Sequence, residues 1–123
     1  DLFAPAIGTA HGVYKTENPK IDTERFDCIA QRINGPEIRT PLVIHGGTGL
    51  KEKMIRTLIR MGGSKYNVST DLKYALIDST YGYIHSHRDE YNPGRLDKAV
   101  QGAIRERIEW WIDLLGCAGK ADA

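Results

Sequence analysis

Short apolar runs alternate with amphipathic stretches along the chain. Residues 2–7 form the first run, which ends in Gly8, Thr9, Ala10, His11 and Gly12, the pattern of a buried strand entering a glycine-containing loop. Pro5 has no N–H for a sheet ladder and predicts an edge or an irregular strand there. After a polar stretch over 15–21, Asp22 or Thr23 is placed to cap a helix carrying Phe26, Ile29, Ala30 and Ile33 at helical spacing, until Asn34, Gly35 and Pro36 end it. A second continuous run, 41–44, again ends in a histidine and glycines: His45, Gly46, Gly47, Thr48 and Gly49. The helix that follows puts Leu50, Met54, Leu58 and Met61 along one face with Ile55 and Ile59 beside them. Lys51, Glu52, Lys53, Arg56 and Arg60 take the wet side. Gly62 and Gly63 stop it.

A third strand is predicted over 64–69, leading into a helix from about Leu72 whose core face carries Leu72, Ala75, Leu76, Ser79 and Tyr83, with Gly82 weakening its middle. Beyond Asn92, Pro93 and Gly94, a last helix aligns Leu96, Ala99, Val100, Ala103, Ile104, Ile108, Trp111, Ile112 and Leu115 on one stripe and stops at Gly116. The order β-α-β-α-β-α-α predicts an α/β fold with a parallel sheet and right-handed crossovers. A (β/α)₈ barrel needs about 250 residues, so three strands make less than half of one. The alternative is a small open doubly wound sheet. That fold usually binds its ligand through a G-x-G-x-x-G first turn, which residues 8–12 do not match, and it would leave two apolar edges exposed.

Composition narrows the partners. Among 123 residues, 17 basic and 16 acidic side chains give a net charge of +1, which offers no electrostatic reason to expect nucleic acid or an anionic membrane. At 41% hydrophobic and 27% charged, the chain has an ordinary globular composition, with no apolar run near the roughly 20 residues that span a bilayer. Cys28 and Cys117, far apart and without CxxC spacing, fit buried reduced thiols, and so a cytoplasmic setting. The opening Asp1, Leu2, Phe3 has no initiator Met and no polar lead-in, as expected of a chain that starts inside a structural element.

The polar and glycine residues cluster at the C-terminal strand ends, the face on which parallel α/β proteins build active sites. His11 and His45 occupy equivalent positions after adjacent strands. Either each caps its strand, or the two imidazoles converge on zinc or a similar divalent ion. Two ligands are not a complete site. His85 and His87, at i and i+2 near a helix end, point to different faces and read as surface residues. Gly46, Gly47, Thr48 and Gly49 ahead of a helix offer backbone N–H groups suited to a phosphate, and Asn67, Ser69 and Thr70 add an amide and hydroxyls at the next strand end. Taken singly, each loop is also explained as a tight turn.

Three ordered segments carry a resemblance. Residues 6–15 (Ala-Ile-Gly-Thr-Ala-His-Gly-Val-Tyr-Lys), 41–49 (Pro-Leu-Val-Ile-His-Gly-Gly-Thr-Gly) and 65–73 (Lys-Tyr-Asn-Val-Ser-Thr-Asp-Leu-Lys) resemble the last three strand motifs of the class II, metal-dependent ketose-bisphosphate aldolases. The closing Gly116, Cys117, Ala118, Gly119, Lys120 and Ala121 is similar to that family's C-terminus.

The resemblance implies that residues 1–123 are the C-terminal portion of a (β/α)₈ barrel, about three βα units, strands six to eight, plus terminal helices. By motif position it implies His11 and His45 as two of three zinc ligands. Triose-phosphate contacts would come from Gly12, Gly46, Gly47, Thr48, Asn67, Val68, Ser69 and Thr70. In the family the metal polarises the ketone of dihydroxyacetone phosphate and stabilises its enediolate, some members use a monovalent cation near the phosphate, and dimers or tetramers are common.

The third histidine, its neighbouring aspartate and the proton-abstracting glutamate lie on earlier family segments, so no catalytic acid or base is assigned here. Lys73 stands where many fructose-bisphosphate members carry Arg and is closer to the tagatose-type branch. Thr48 stands where serine is usual and keeps the hydroxyl. The implied function is reversible cleavage of a ketose 1,6-bisphosphate to dihydroxyacetone phosphate and glyceraldehyde 3-phosphate. The alternatives are a barrel acting on another phosphorylated keto sugar, or a fragment without catalysis when isolated.

Overall fold

The computed structural model describes residues 1–12 and 14–121; Val13, within the first motif, lies outside them. The elements run α1 (Thr23–Ile33), β1 (Leu42–Ile44), α2 (Glu52–Arg60), β2 (Gly63–Tyr66), α3 (Thr70–Ser86) and α4 (Pro93–Leu115). The chain is α/β, with β1 and β2 paired in parallel. It divides into two compact units, Asp1–Val68 and Ser69–Ala123.

The first unit holds most of the core. β1 is apolar at every position and buried at every position, as a strand covered on both faces must be. The Asp22 carboxylate accepts the Arg25 N–H at 2.9 Å and starts α1. That phase turns Phe26 inward, where it is fully buried. α2 buries Ile55 and Leu58, one turn apart, each contributing about 1.5–3 kcal/mol by leaving water. α2 and β2 meet closely because residue 63 is glycine. A Cβ there would stand 2.5 Å from Ile44 Cδ1 and 2.9 Å from the Leu58 carbonyl oxygen. The strand register pairs Leu42 with Gly63, Val43 with Lys65 and Ile44 with Tyr66, with an irregularity between Leu42 and Val43.

Several sequence expectations are corrected. The strand predicted over 2–7 reduces to one parallel bridge between Phe3 and Leu42. Phe3 donates to the Pro41 carbonyl at 3.1 Å and accepts from Val43 at 2.8 Å, after which Pro5 cannot donate and the Ile7 carbonyl accepts instead from Asp22 N–H at 2.9 Å. The third strand is 63–66 rather than 64–69, and the following helix begins at Thr70 rather than Leu72. The helix after the second glycine loop starts at Glu52, not directly on Gly49. Cys28 and Cys117 are exposed, not buried. Cys28 is two residues, and so about half a turn, from the inward Phe26. Cys117 lies beyond the end of α4.

In the second unit, α3 packs against α4. Asn92 caps α4 by accepting the Gly94 N–H at 2.9 Å, Pro93 fills the first turn, and Gly116, with φ of 71°, ends the helix in the left-handed region. The Asp71 carboxylate accepts from Arg107 Nε and, at 2.6 Å, from Trp111 Nε1, tying the first turn of α3 to α4. The face expected for α3 is the one that is partly covered, with Leu72, Ala75, Ser79 and Tyr83 half-buried, but the covering is incomplete. No α3 residue is buried, and Leu76 is 42% exposed. On α4, Trp111 is buried as expected, together with Leu114, whereas Ile108 and Ile112 are exposed.

Candidate functional site

His45 is the first residue past β1, and His11 lies in the loop that follows the Phe3 bridge. Their rings meet edge-on, centroids 5.3 Å apart and planes inclined by 65°. Two imidazoles sharing one tetrahedral zinc at a Zn–N distance of about 2.1 Å would hold their centroids roughly 5 Å apart. The observed spacing is therefore compatible with one shared ion. His11 is exposed and His45 half-buried. Among the described residues no cluster of three or more His, Cys, Asp or Glu side chains is arranged to hold a metal, so the pair is a partial donor set.

Asn67 stands next to His45. Its N–H continues the parallel ladder to the Ile44 carbonyl at 3.0 Å. Its side-chain Oδ1 accepts from Lys65 Nζ at 2.6 Å, which turns Nδ2 toward the His45 ring, 3.3 Å from both ring nitrogens. The lone-pair or N–H directions of the two nitrogens diverge around an imidazole, so an amide equally near both is in line with neither. The amide therefore lies against the His45 ring beside both nitrogens.

The glycines of the second loop are required by close approach. Gly46 has φ of 66°, and a Cβ on it would stand 2.2 Å from the Ala10 carbonyl oxygen. A Cβ on Gly47 would stand 1.9 Å from Tyr66 Cε1. Both glycines are buried, and Thr48 is half-buried. Gly12 differs: it has φ of 84° but open space around its missing Cβ, so it is required by conformation alone. The Tyr14 hydroxyl donates to the Gly46 carbonyl at 2.6 Å and accepts the Ala10 N–H at 3.2 Å. Burial, and secondarily the charge of neighbouring Tyr14, pushes the Tyr66 hydroxyl well above the usual tyrosine range, so it stays protonated.

Of the residues singled out from sequence, His11, Gly12, His45, Gly46, Gly47, Thr48 and Asn67 fall in the first unit, where the two histidines and Asn67 come together. Val68 closes that unit, and Ser69 and Thr70 open the second, at the start of α3. His85 and His87 are exposed at the far end of α3, with His87 stacked on Tyr83 at 4.3 Å. The sequence reading missed Tyr14, Lys65 and Tyr66. All three lie inside the quoted motifs, but no periodicity marks a residue that works by hydrogen-bonding or covering a loop. The one available signal was the paired glycines themselves, which imply something close above them.

The family profile described as Fructose-bisphosphate aldolase class-II matches residues 1–120. Among solved structures, the chain is similar to a protein of Coccidioides immitis provisionally described as a fructose-1,6-biphosphate aldolase, with 26% identity and a TM-score of 0.78, covering 97% of this chain and 39% of that one. It is similar to the YdjI aldolase of Escherichia coli K12, with 28% identity and a TM-score of 0.74, over 97% and 40% of the two chains. The fructose-bisphosphate aldolase of Campylobacter jejuni shares the fold at 22% identity, with a TM-score of 0.78, over 94% and 40%. The chain thus spans about 40% of the length of these structures, and its α/β fold corresponds to part of an aldolase (β/α)₈ barrel.

Proposed function

The chain belongs to the class-II fructose-bisphosphate aldolase family, and from that membership we propose that residues 1–123 are the C-terminal portion of a metal-dependent aldolase barrel, strands six to eight with the terminal helices. The reaction is reversible cleavage of a ketose 1,6-bisphosphate to dihydroxyacetone phosphate and glyceraldehyde 3-phosphate. The observation that carries this reading is the edge-on His11–His45 pair, 5.3 Å between centroids, at the family's motif positions. A divalent ion, zinc in the first instance, held by these two imidazoles and a third ligand from outside the described residues would supply Lewis-acid stabilisation of negative charge developing on the substrate.

The chain's own residues bind and orient. The backbone of Gly12, Gly46 and Gly47 and the Thr48 hydroxyl meet the triose phosphate, joined by Asn67, Val68, Ser69 and Thr70. Of these glycines, Gly12 has open space where a Cβ would stand, which leaves its main chain approachable by a phosphate. Asn67, its Oδ1 occupied by Lys65, aims its amide N–H groups toward the His45 side, where a substrate oxygen can accept one. A monovalent cation beside the phosphate, a homodimer or homotetramer and a cytoplasmic setting complete the reading. The acid–base pair comes from the remainder of the barrel. No helix among the described residues is long and apolar enough to cross a membrane.

The test uses the intact protein containing this chain. Chelation should abolish cleavage of fructose or tagatose 1,6-bisphosphate, and zinc or cobalt should restore it; activity that persists after verified metal removal overturns the proposal. Lys73 favours the tagatose-type substrate as a second reading. A panel at fixed metal separates the two, and cleavage of neither would point to another phosphorylated keto sugar.

A further inference from the structure

We propose that Tyr14 is a positioning residue that locks the two histidine-bearing loops together, so that His11 and His45 present their imidazoles as a pair. The inference rests on the reading of these histidines as ligands of one divalent ion. Its basis is the placement of a single phenol oxygen. That oxygen accepts the N–H of Ala10, the residue before His11, at 3.2 Å, and donates to the carbonyl of Gly46, the residue after His45, at 2.6 Å.

Neither loop has regular secondary structure at these positions, so no sheet ladder fixes one against the other. The loops nonetheless touch, since the absent Gly46 Cβ leaves room for the Ala10 carbonyl. The Tyr14 ring lies beside Gly49, whose missing Cβ would stand 3.2 Å from Tyr14 Cδ2. One side chain, carried by the first loop's own segment, therefore reaches across to the second loop from Gly46 to Gly49 while bonding back to Ala10 four residues earlier. A hydroxyl can donate one hydrogen bond while accepting another, and here both capacities are used, one on each loop. Replacing it by hydrogen removes both links and leaves the ring in place.

Outer-shell partners of metal ligands typically change affinity by about 10–100-fold when removed. Tyr14 acts through the backbone beside each ring, so the lower end applies. In the intact protein, Tyr14→Phe should weaken Co(II) binding about 10-fold and alter the visible Co(II) bands at saturation. The unfolding midpoint of the metal-free protein should stay close to wild type, and the Ala10 amide should exchange faster with solvent. Wild-type affinity and an unchanged Co(II) spectrum in Tyr14→Phe would overturn the proposal. Loss of cooperative folding would also overturn it, because Tyr14 would then be a general packing residue.

His11→Ala and His45→Ala separate the two layers of the argument. If neither alters Co(II) binding, the ligand reading fails, and the lock is judged on metal-free Ala10 exchange alone. Faster exchange in Tyr14→Phe supports the lock and unchanged exchange refutes it.

Discussion

The two units of the chain are built by different physics. In Asp1–Val68, Phe26, Ile55, Leu58 and all of β1 are buried, and glycines 46, 47 and 63 let main chain and rings approach to distances at which a Cβ would collide. In Ser69–Ala123 the buried apolar side chains are Trp111 and Leu114, while Tyr74, Ile77, Tyr81 and Ile84 of α3 stay exposed. The long helices of the second unit rest on caps, on each other and on the Asp71 link to Arg107 and Trp111. The histidine pair belongs to the densely packed unit. The loop that carries His45 is held there by the close approaches at Gly46 and Gly47.

The largest test of this contrast is Phe26→Ala, which should cost about 4 kcal/mol in denaturant unfolding because the side chain is fully buried. Ile77→Ala, at 47% exposure, should stay within about 0.5 kcal/mol, and equal costs would erase the contrast. Gly46→Ala should follow at about 3 kcal/mol, combining positive φ with a collision against the Ala10 carbonyl. In the second unit, Asp71→Ala should cost about 2 kcal/mol by removing the acceptor shared by Arg107 and Trp111.

Lys65→Met should shift stability by less than about 0.5 kcal/mol, since the Lys65–Asn67 hydrogen bond is exposed. In the intact protein it should still lower kcat/KM for aldol cleavage several-fold, as the Asn67 amide loses its orientation. The smallest effect concerns Glu90. Its carboxyl is held below the usual range, first by the Asn92 N–H and then by Arg95. A depressed native value means that this contribution is present above the unfolded-state value and fades as pH falls through the native one. Carboxyl NMR titration should find Glu90 ionising below the usual glutamate range, and a value within that range would refute the local interaction.

Much of the fold was legible because it depends on local pattern. Phe26 at helical spacing, the unbroken Leu42, Val43 and Ile44, and Gly116 after the last apolar stripe each landed where the sequence put them. The first strand failed at Pro5, where a missing donor outweighed apolar character. The α3 face held in part, with Leu72, Ala75, Ser79 and Tyr83 half-buried and Leu76 exposed, because amphipathic spacing states which side is apolar, not how fully it is covered. At the site, the histidines and glycines were visible as residue types at strand ends, and their closeness in space is a structural observation. Tyr14 and Lys65 were not visible. Their roles depend on hydrogen bonds whose partners are chosen by loop conformation, which no periodicity encodes.

The central claim is that His11 and His45 serve one metal ion, and the most direct measurement is the zinc anomalous signal in crystals of the zinc-loaded intact protein. The account predicts one peak within about 2.1 Å of a ring nitrogen of both His11 and His45. A fully occupied peak bound to neither histidine, or to only one, would contradict it.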